Sequence, residues 1–251
     1  MMGWRGRIGF LVPPGNPTVE PEMMQLTPAG VSLHFTRMVA HGNTGAHEGQ
    51  EERNRAQIAH LDENAALLAM VKPGVMVMAH TATSYTLGKD GEATLIDRMQ
   101  REHRIPFITA FGSVVAALAH LGVRRVAYAT PYNEQVTALG KAHLEAHGLQ
   151  VVAHGILPGV KNIYDETPER AYQLARQTDC ADAQAVFLSG VGMPTIAVLD
   201  KLEQDLGKPV ISSAAAMMWN ALRTIGVCEP LQHGSCLLTG IAPTGTQEIK
   251  S

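Results

Sequence analysis

The stretch Ile8-Gly-Phe-Leu-Val-Pro-Pro-Gly-Asn16 decides the fold, because a looser copy of it occurs later as Val126-Ala-Tyr-Ala-Thr-Pro-Tyr-Asn133. Both copies consist of a short apolar run, a proline turn and an asparagine. Two more pairs follow in the same order: residues 74–81 resemble residues 185–191, and residues 106–123 resemble residues 209–227. Three matches in one order predict that the chain contains two similar units.

Short apolar runs alternate along the chain with longer segments of helical periodicity. The runs lack the polar alternation of half-exposed strands, so we predict strands covered on both faces, at residues 7–12, 31–38, 74–79, 106–110, 125–129, 150–156, 185–189 and 209–212. The helical segments are 48–71, 113–121, 134–147, 168–178, 195–206 and 215–225. This alternation predicts an α/β protein with parallel sheets in two similar lobes. The predicted N-terminal lobe is 1–115 plus 217–251, and the C-terminal lobe is 116–216.

Composition and charge exclude several classes of protein. The 251 residues are 45% hydrophobic and carry 20 Lys plus Arg against 23 Asp plus Glu, a formal charge of −3 without a basic block. We therefore expect no nucleic-acid partner. Three scattered cysteines (Cys180, Cys228 and Cys236) are too few for a disulfide framework. No apolar run approaches the ~18 residues of a membrane span, and none resembles a signal-peptide core. We expect a cytoplasmic protein, with formation of a homo-oligomer left open.

Ligands of parallel α/β sheets bind beyond the carboxyl ends of the strands, so the residues after each strand are the candidate site. Asn16 follows the first strand and supplies a donor beside a predicted helix N-terminus, which suits a carboxylate, although an ordinary turn has the same pattern. The third strand ends in His80, followed by the hydroxyls of Thr81, Thr83 and Ser84. A lone histidine is as often structural, and its place at a strand end makes it a candidate acid–base group.

The second unit carries matching loops after its strands. Thr130 and Tyr132 follow one strand, and the Tyr132 phenol is a candidate donor to an anionic intermediate, with simple packing as the alternative. A glycine-rich turn follows another strand but matches neither the phosphate-binding loop nor the dinucleotide fingerprint. The backbone amides of Gly190, Val191 and Gly192, at a predicted helix start, are candidate anion ligands.

A polar loop after the second strand contains two histidines and an adjacent glutamate. His41, His47 and Glu48, joined by His80, supply the imidazole and carboxylate ligands that suit a divalent metal ion with a bound water. Their spacing matches no standard zinc motif, and a solvent-exposed loop is the alternative. No cofactor is therefore certain from the sequence, and a divalent metal ion stays one option.

Three stretches resemble the maleate cis-trans isomerases and arylmalonate decarboxylases of the Asp/Glu racemase superfamily. They are Val12-Pro-Pro-Gly-Asn-Pro-Thr-Val-Glu20, Leu121-Gly-Val-Arg-Arg-Val-Ala-Tyr-Ala-Thr-Pro-Tyr132 and Gly207-Lys-Pro-Val-Ile-Ser-Ser213. The resemblance covers essentially the whole chain. It implies two Rossmann-like lobes with parallel sheets, related by a pseudo-twofold axis, with the active site in the cleft between them. It also implies that Asn16, Tyr132 and Asn162 contact the substrate carboxylate. The same resemblance implies that the pocket is lined by Thr81, Thr83, Ser84 and Thr130.

The chain departs from this resemblance at the strand ends where racemases and isomerases of the group carry one cysteine in each lobe. The decarboxylases keep only the second cysteine. In this chain the first position is His80 and the second is Gly190, and none of the three cysteines follows a matching strand. The departure leaves three routes: His80 as a one-sided acid–base group, a metal-bound water, or a loss of catalysis.

Three functional hypotheses follow from these residues. The first, which the sequence favours, is an enzyme that hydrolyses or eliminates on a small carboxylate-bearing substrate, such as a diacid or a hydantoin-like ring. In it His80 is the acid–base group or a metal ligand, and Tyr132 stabilises the developing anion. The second hypothesis keeps isomerase or decarboxylase chemistry, with His80 in place of the thiol. The third is a carboxylate-binding protein without turnover.

Overall fold

The computed structural model describes residues 2–232 and 234–243, and it contains two four-stranded parallel sheets. The first sheet has the order β2-β1-β3-β4, with β1 (Gly6–Val12), β2 (Val31–Arg37), β3 (Val75–Met78) and β4 (Phe107–Thr109). The second has the order β6-β5-β7-β8, with β5 (Arg125–Thr130), β6 (Gln150–Ile156), β7 (Ala185–Leu188) and β8 (Val210–Ser212). The second order is the first shifted by four strands. The predicted duplication of a parallel α/β unit is therefore confirmed.

Helices connect the strands and flank the sheets. They are α1 (Val19–Gln25), α2 (Gln50–Ala59), α3 (Leu61–Ala69), α4 (Thr81–His103), α5 (Ala110–His120), α6 (Glu134–Ala146), α7 (Pro168–Thr178), α8 (Ile196–Leu206), α9 (Ser213–Thr224) and α10 (Cys236–Thr239). A 3₁₀ turn at Ile163–Asp165 lies between β6 and α7. Helices between parallel strands are the connections that such sheets require.

Every predicted strand is present, and each end lies within one residue of its predicted position. The helices were predicted less well. The single helix predicted at 48–71 is two helices that meet at His60. The long helix α4 was not predicted, because its first turn is rich in hydroxyl side chains and resembles a loop. Its two halves meet at Gly88, whose φ of 68° and ψ of 174° interrupt the helix.

The hydrophobic core is shared by the two lobes. One cluster of buried apolar side chains includes Phe10 and Val77 from the first sheet, Ala127 and Leu188 from the second, and Met217 from α9. Helices α5 and α9 also pack against each other. The lobe boundaries at 115/116 and 216/217 stay a prediction. Among the described residues, no helix combines the length and the hydropathy that a membrane crossing requires.

Candidate active site

The loops that follow β1, β3, β5 and β7 surround one pocket between the lobes. It encloses about 460 Å³ of space, part of it open to solvent. Five of the residues predicted for the site line this pocket: Asn16, His80, Tyr132, Val191 and Gly192. The carboxyl ends of the strands thus meet at the pocket, as expected for parallel sheets. The remaining wall comes from residues 44–46 after β2, from α2 and from the 3₁₀ turn after β6.

His80 is the imidazole on the first-lobe side of this pocket. It follows β3 directly, has extended backbone (φ −149°, ψ 105°) and precedes the first turn of α4. Its Nδ1 lies 2.6 Å from the Thr83 hydroxyl oxygen. Burial, and then the nearby Arg53 charge, lower the pKa of His80 to about 4. The imidazole is therefore neutral at pH 7 and available as a base.

Arg53 is a buried cation on α2 that the sequence-based prediction missed. Its guanidinium donates to the backbone oxygens of Glu48, at 2.6 Å, and Ala46. The side chain forms no salt bridge with any residue in the described ranges, and it lines the pocket beside His80. Since burial of a charge without a counter-charge costs free energy, Arg53 favours the binding of an anion in the pocket.

The buried face of α2 consists entirely of polar residues. Gln50, Arg53, Asn54 and Gln57 are its buried positions, and all four line the pocket. The side-chain oxygens of Gln50, Asn54 and Gln57 are buried without a hydrogen-bond partner in residues 2–232 and 234–243. Such oxygens accept hydrogen bonds from a ligand or from water. The i, i+3, i+4, i+7 spacing is visible in the sequence, but only the structure shows that this face is buried.

Asn16 joins the two lobes at the pocket. Its Oδ1 accepts from the amides of Thr18 (2.8 Å) and Val19 (2.9 Å), and its Nδ2 donates to the Val191 oxygen at 3.0 Å. The Thr18 hydroxyl donates to the Gly192 oxygen at 2.8 Å. Asn16 therefore caps the start of α1 itself, and one Nδ2 hydrogen is left for a carboxylate in the pocket.

The glycine-rich turn after β7 contains Gly190, Val191 and Gly192, whose amides were predicted to bind an anion. The carbonyls of Val191 and Gly192 face the first lobe, where Asn16 and Thr18 donate to them. The helix α8 starts further along the chain, and two amides at its start are occupied by the protein itself.

Glu22 of α1 is the residue that occupies this helix start. Its Oε1 accepts from the amides of Thr195, at 2.5 Å, and Ile196, at 2.8 Å. A carboxylate at a helix N-terminus is the expected pairing. Glu22 therefore occupies the start of α8, and the anion site at the amides of Gly190, Val191 and Gly192 stays a prediction. Burial raises the pKa of Glu22 to about 7, against the lowering effect of these two hydrogen bonds.

The four hydroxyl side chains predicted to line the pocket lie outside its lining. Thr81, Thr83, Ser84 and Thr130 are fully buried and do not line the pocket. Thr81 donates to the Ser213 hydroxyl at 3.0 Å, and Ser84 donates to Glu92 at 2.6 Å. Thr83 contacts His80, and the Thr130 hydroxyl oxygen accepts from the Tyr132 amide at 3.2 Å. Each hydroxyl thus already has a protein partner.

Two tyrosines provide the second-lobe wall. The Tyr132 hydroxyl has no hydrogen-bond partner within the part of the chain that the structure describes. Burial raises the pKa of Tyr132 well above its ordinary value, and that of Tyr164 to about 12, so both phenols stay protonated donors. Asn162, predicted to contact the substrate, instead accepts from the Tyr164 amide and donates to the Thr44 oxygen at 3.2 Å.

The four predicted metal ligands are not brought together. His41 and Glu48 are exposed. The His47 Nε2 lies 2.8 Å from the Pro131 oxygen. In residues 2–232 and 234–243, one group of three His, Cys, Asp or Glu side chains has metal-binding spacing, and it contains none of His41, His47, Glu48 or His80. The predicted metal-bound water at His80 is therefore not supported by the geometry.

Comparison with known proteins identifies the family of the chain. A family described as arylmalonate decarboxylase matches residues 8–237. The chain belongs to this family. Maleate isomerase from Nocardia farcinica is 30% identical over 250 residues, covering 89% of this chain and 91% of the relative. Arylmalonate decarboxylase from Bordetella bronchiseptica is 29% identical over 225 residues, covering 87% and 90%.

A solved structure shows the same fold. It is a variant of the Nocardia farcinica maleate cis-trans isomerase with a covalently bound succinylcysteine intermediate. The TM-score is 0.83 at 24% identity, and the match covers 94% of this chain and 99% of that chain. The predicted resemblance to the maleate isomerase and arylmalonate decarboxylase branch, with its paired Rossmann-like lobes, is thus confirmed.

The relatives bear directly on the functional hypotheses. Those named above are isomerases and decarboxylases of small carboxylates, so they support an enzyme of the second hypothesis. They give no support to hydrolysis or elimination, which the sequence alone favoured. In this member of the arylmalonate decarboxylase family, His80 lines the pocket after β3, Gly190 follows β7 beside the lining residues Val191 and Gly192, and no cysteine is among the lining residues in the described ranges.

Proposed function

We propose that this protein is an isomerase or decarboxylase of small carboxylates, in which Arg53 binds a carboxylate and His80 moves the proton. The observation that carries the proposal is Arg53, a buried guanidinium without a salt bridge in the described ranges, beside a neutral imidazole. A carboxylate supplies the counter-charge that this cation lacks. Relatives named maleate isomerase and arylmalonate decarboxylase support a small carboxylic acid as the substrate.

Proton removal and return is the step that suits a neutral His80. With Nδ1–H donating to Thr83, Nε2 takes a proton from the carbon next to the bound carboxylate. The C–H electron pair moves into the carboxylate and gives an enediolate, which Arg53 and the Tyr132 hydroxyl stabilise. The imidazolium then returns the proton to a carbon conjugated with the enediolate, so that a double bond changes position. The overall reaction is an isomerisation.

Decarboxylation is the second candidate, and the family match favours it. Here the carbon–carbon bond breaks, CO₂ leaves, and its electron pair stays behind as the enediolate, which His80 protonates as an imidazolium. This route requires proton uptake by His80 when the substrate binds. A bound dianion offsets the Arg53 charge that lowers the pKa of His80, and so promotes that uptake.

Thiol addition does not fit this pocket. A succinylcysteine intermediate, as in the Nocardia farcinica isomerase variant, requires a cysteine beside the substrate. The three cysteines of this chain lie elsewhere: Cys180 is half-buried, Cys228 is exposed and Cys236 is buried in α10. Burial and the nearby Glu203 charge also raise the pKa of the Cys236 thiol, which keeps it protonated.

The test measures the turnover of short-chain mono- and dicarboxylates, including maleate and an arylmalonate, by the wild-type protein and by two arginine variants. NMR detects the conversion of each acid. Arg53→Gln removes the proposed carboxylate partner. Arg55→Gln, on the exposed side of the same helix and paired with Glu51, is the matched control. We expect the KM of a converted acid to rise about 10- to 100-fold in Arg53→Gln, since a charge-assisted hydrogen bond is lost. Arg55→Gln should match the wild type.

Two outcomes would contradict this proposal. An equal KM in the two variants would exclude Arg53 as the carboxylate partner. Binding of small carboxylates without turnover of any acid would support the third hypothesis, a binding protein, instead.

A further inference from the structure

A second cluster of polar side chains lies between α4 of the first lobe and α6 of the second. Glu92 on α4, His143 on α6 and His147 at the end of α6 place one potential ligand atom each within 4.8 Å of the others. Glu92 and His143 are buried, and His147 is half-buried. We propose that these three side chains form a divalent metal site, best suited to Zn²⁺, that ties the two lobes together.

The two histidines share one face of the helix end. His143 and His147 are four residues apart, the spacing that brings side chains together along a helix. Their ring centroids are 5.2 Å apart, and Phe111 packs against both rings, at 4.3 and 5.7 Å. The aromatic ring of α5 therefore fixes the orientation of both imidazoles.

Glu92 supplies the oxygen ligand. Its Oε2 lies 2.9 Å from His143 Nε2. Its Oε1 accepts from Ser84 at 2.6 Å and from Thr109. Burial by itself raises the pKa of Glu92, but the hydrogen bonds from His143, Ser84 and Thr109 lower it overall. The carboxylate is therefore charged and held in place, as a metal-binding carboxylate needs to be.

His147 provides the independent sign of a missing ligand. Its Nε2 is buried and has no hydrogen-bond partner among the residues that the structure describes, so this nitrogen can bind a metal ion. An unpaired buried nitrogen beside a carboxylate–imidazole pair is the arrangement that a bound ion would complete.

The donor set and the spacing fit zinc. Two imidazole nitrogens and one carboxylate oxygen are a common three-residue zinc set, with a fourth position for water. Ligands at about 2.1 Å from zinc lie at most about 4.2 Å apart, so separations up to 4.8 Å need only small side-chain rotations. The ion would replace the proton between His143 and Glu92 and join α6 to α4.

The experiment uses the tag-free full-length protein, stripped of metal with a chelator and dialysed. Co²⁺ is the spectroscopic probe, and Zn²⁺ is added in thermal unfolding. We expect one Co²⁺ per chain with the visible spectrum of a tetrahedral site, and a higher unfolding temperature with Zn²⁺. His147→Gln removes the unpaired ligand but keeps the Glu92–His143 pair, and it should weaken Co²⁺ binding at least tenfold. His154→Gln, at an exposed histidine of β6, should bind Co²⁺ as the wild type does.

Three results would overturn the proposal. They are no binding of Co²⁺ or Zn²⁺ by the wild type, equal binding by His147→Gln, or equal loss in His154→Gln. Metal-free unfolding temperatures of the variants show whether each is folded. Anomalous scattering from wild-type crystals grown with Zn²⁺ gives a test without any variant. An ion at Glu92, His143 and His147 supports the site, and ions only at exposed histidines contradict it.

Discussion

The two lobes share one sheet topology but present different chemistry to the pocket. In the first lobe His80 lies two residues after the end of β3, and in the second Gly190 lies two residues after the end of β7. Between the second and third strands, the first lobe has α2, with Arg53 toward the pocket, whereas the second has a 3₁₀ turn with Ile163 and Tyr164. The duplicated topology thus determines where the pocket lies. The segments that follow the strands determine which lobe carries the charged group and the proposed acid–base group.

The difference makes the pocket one-sided. The first lobe provides an imidazole, a guanidinium and four amide side chains, those of Asn16, Gln50, Asn54 and Gln57. The second provides phenols, apolar contacts and backbone. In the proposed mechanism, the proton is therefore transferred from the His80 side, and the phenols of the second lobe act as hydrogen-bond donors.

Replacement of the imidazole should have the largest effect. His80→Gln removes the proposed acid–base group, and we expect kcat to fall by about 10²- to 10⁴-fold, with a much smaller change in KM. His41→Gln is the control, because His41 is exposed and was a predicted metal ligand. Steady-state kinetics on a converted acid measures both variants. Full turnover by His80→Gln would exclude His80 as the catalytic group, and an equal loss in His41→Gln would restore the metal hypothesis.

Glu22 links the lobes in a way that depends on pH. Burial raises its pKa from 4.5 to about 7 in the folded protein. Glu22 therefore binds more protons in the folded than in the unfolded state between these values, and its contribution to stability is lost as pH rises through this window. The lowered pKa of His80 acts in the opposite direction, so the comparison with a variant isolates the effect of Glu22. Glu22→Gln keeps an oxygen acceptor for Thr195 and Ile196 without the charge. It should be more stable than the wild type at pH 8 by about 1–3 kcal/mol, and this difference should become smaller as the pH falls.

Denaturant unfolding from pH 4 to pH 8 measures this difference. Glu63→Gln, at an exposed position of α3, is the control and should follow the wild-type curve. A stability difference between Glu22→Gln and the wild type that stays the same from pH 4 to pH 8 would show that Glu22 does not have the raised pKa.

Substitution of Gly190, on the second-lobe side of the pocket, should have a smaller effect on activity. Gly190 has a φ of +92°, and a Cβ there would lie 3.1 Å from the Tyr132 hydroxyl. Gly148 has a φ of +80° with open space around it, so Gly148→Ala reports the backbone strain alone. We expect each alanine variant to lose about 1 kcal/mol of stability. Only Gly190→Ala should also change KM, since it displaces Tyr132; equal KM values would show that this contact is unimportant.

Much of this architecture could be predicted from local sequence patterns. The strands are short apolar runs between turns, and the strand-end positions of His80 and Tyr132 are visible in the chain. The polar face of α2 was missed, because the spacing of Gln50, Arg53 and Gln57 cannot show which side of the helix is buried. The pairing of Glu22 with the amides of Thr195 and Ile196 joins residues far apart in the sequence. Only the folded chain reveals such contacts.

The central claim is that proton transfer is one-sided and depends on His80. The most direct measurement is turnover of a prochiral substrate in heavy water, with the configuration of the deuterated carbon determined by NMR after derivatisation with a chiral reagent. The account predicts deuterium in a single configuration with the wild type, and no enzymatic incorporation with His80→Gln. Deuterium in both configurations, or undiminished incorporation by His80→Gln, would contradict it.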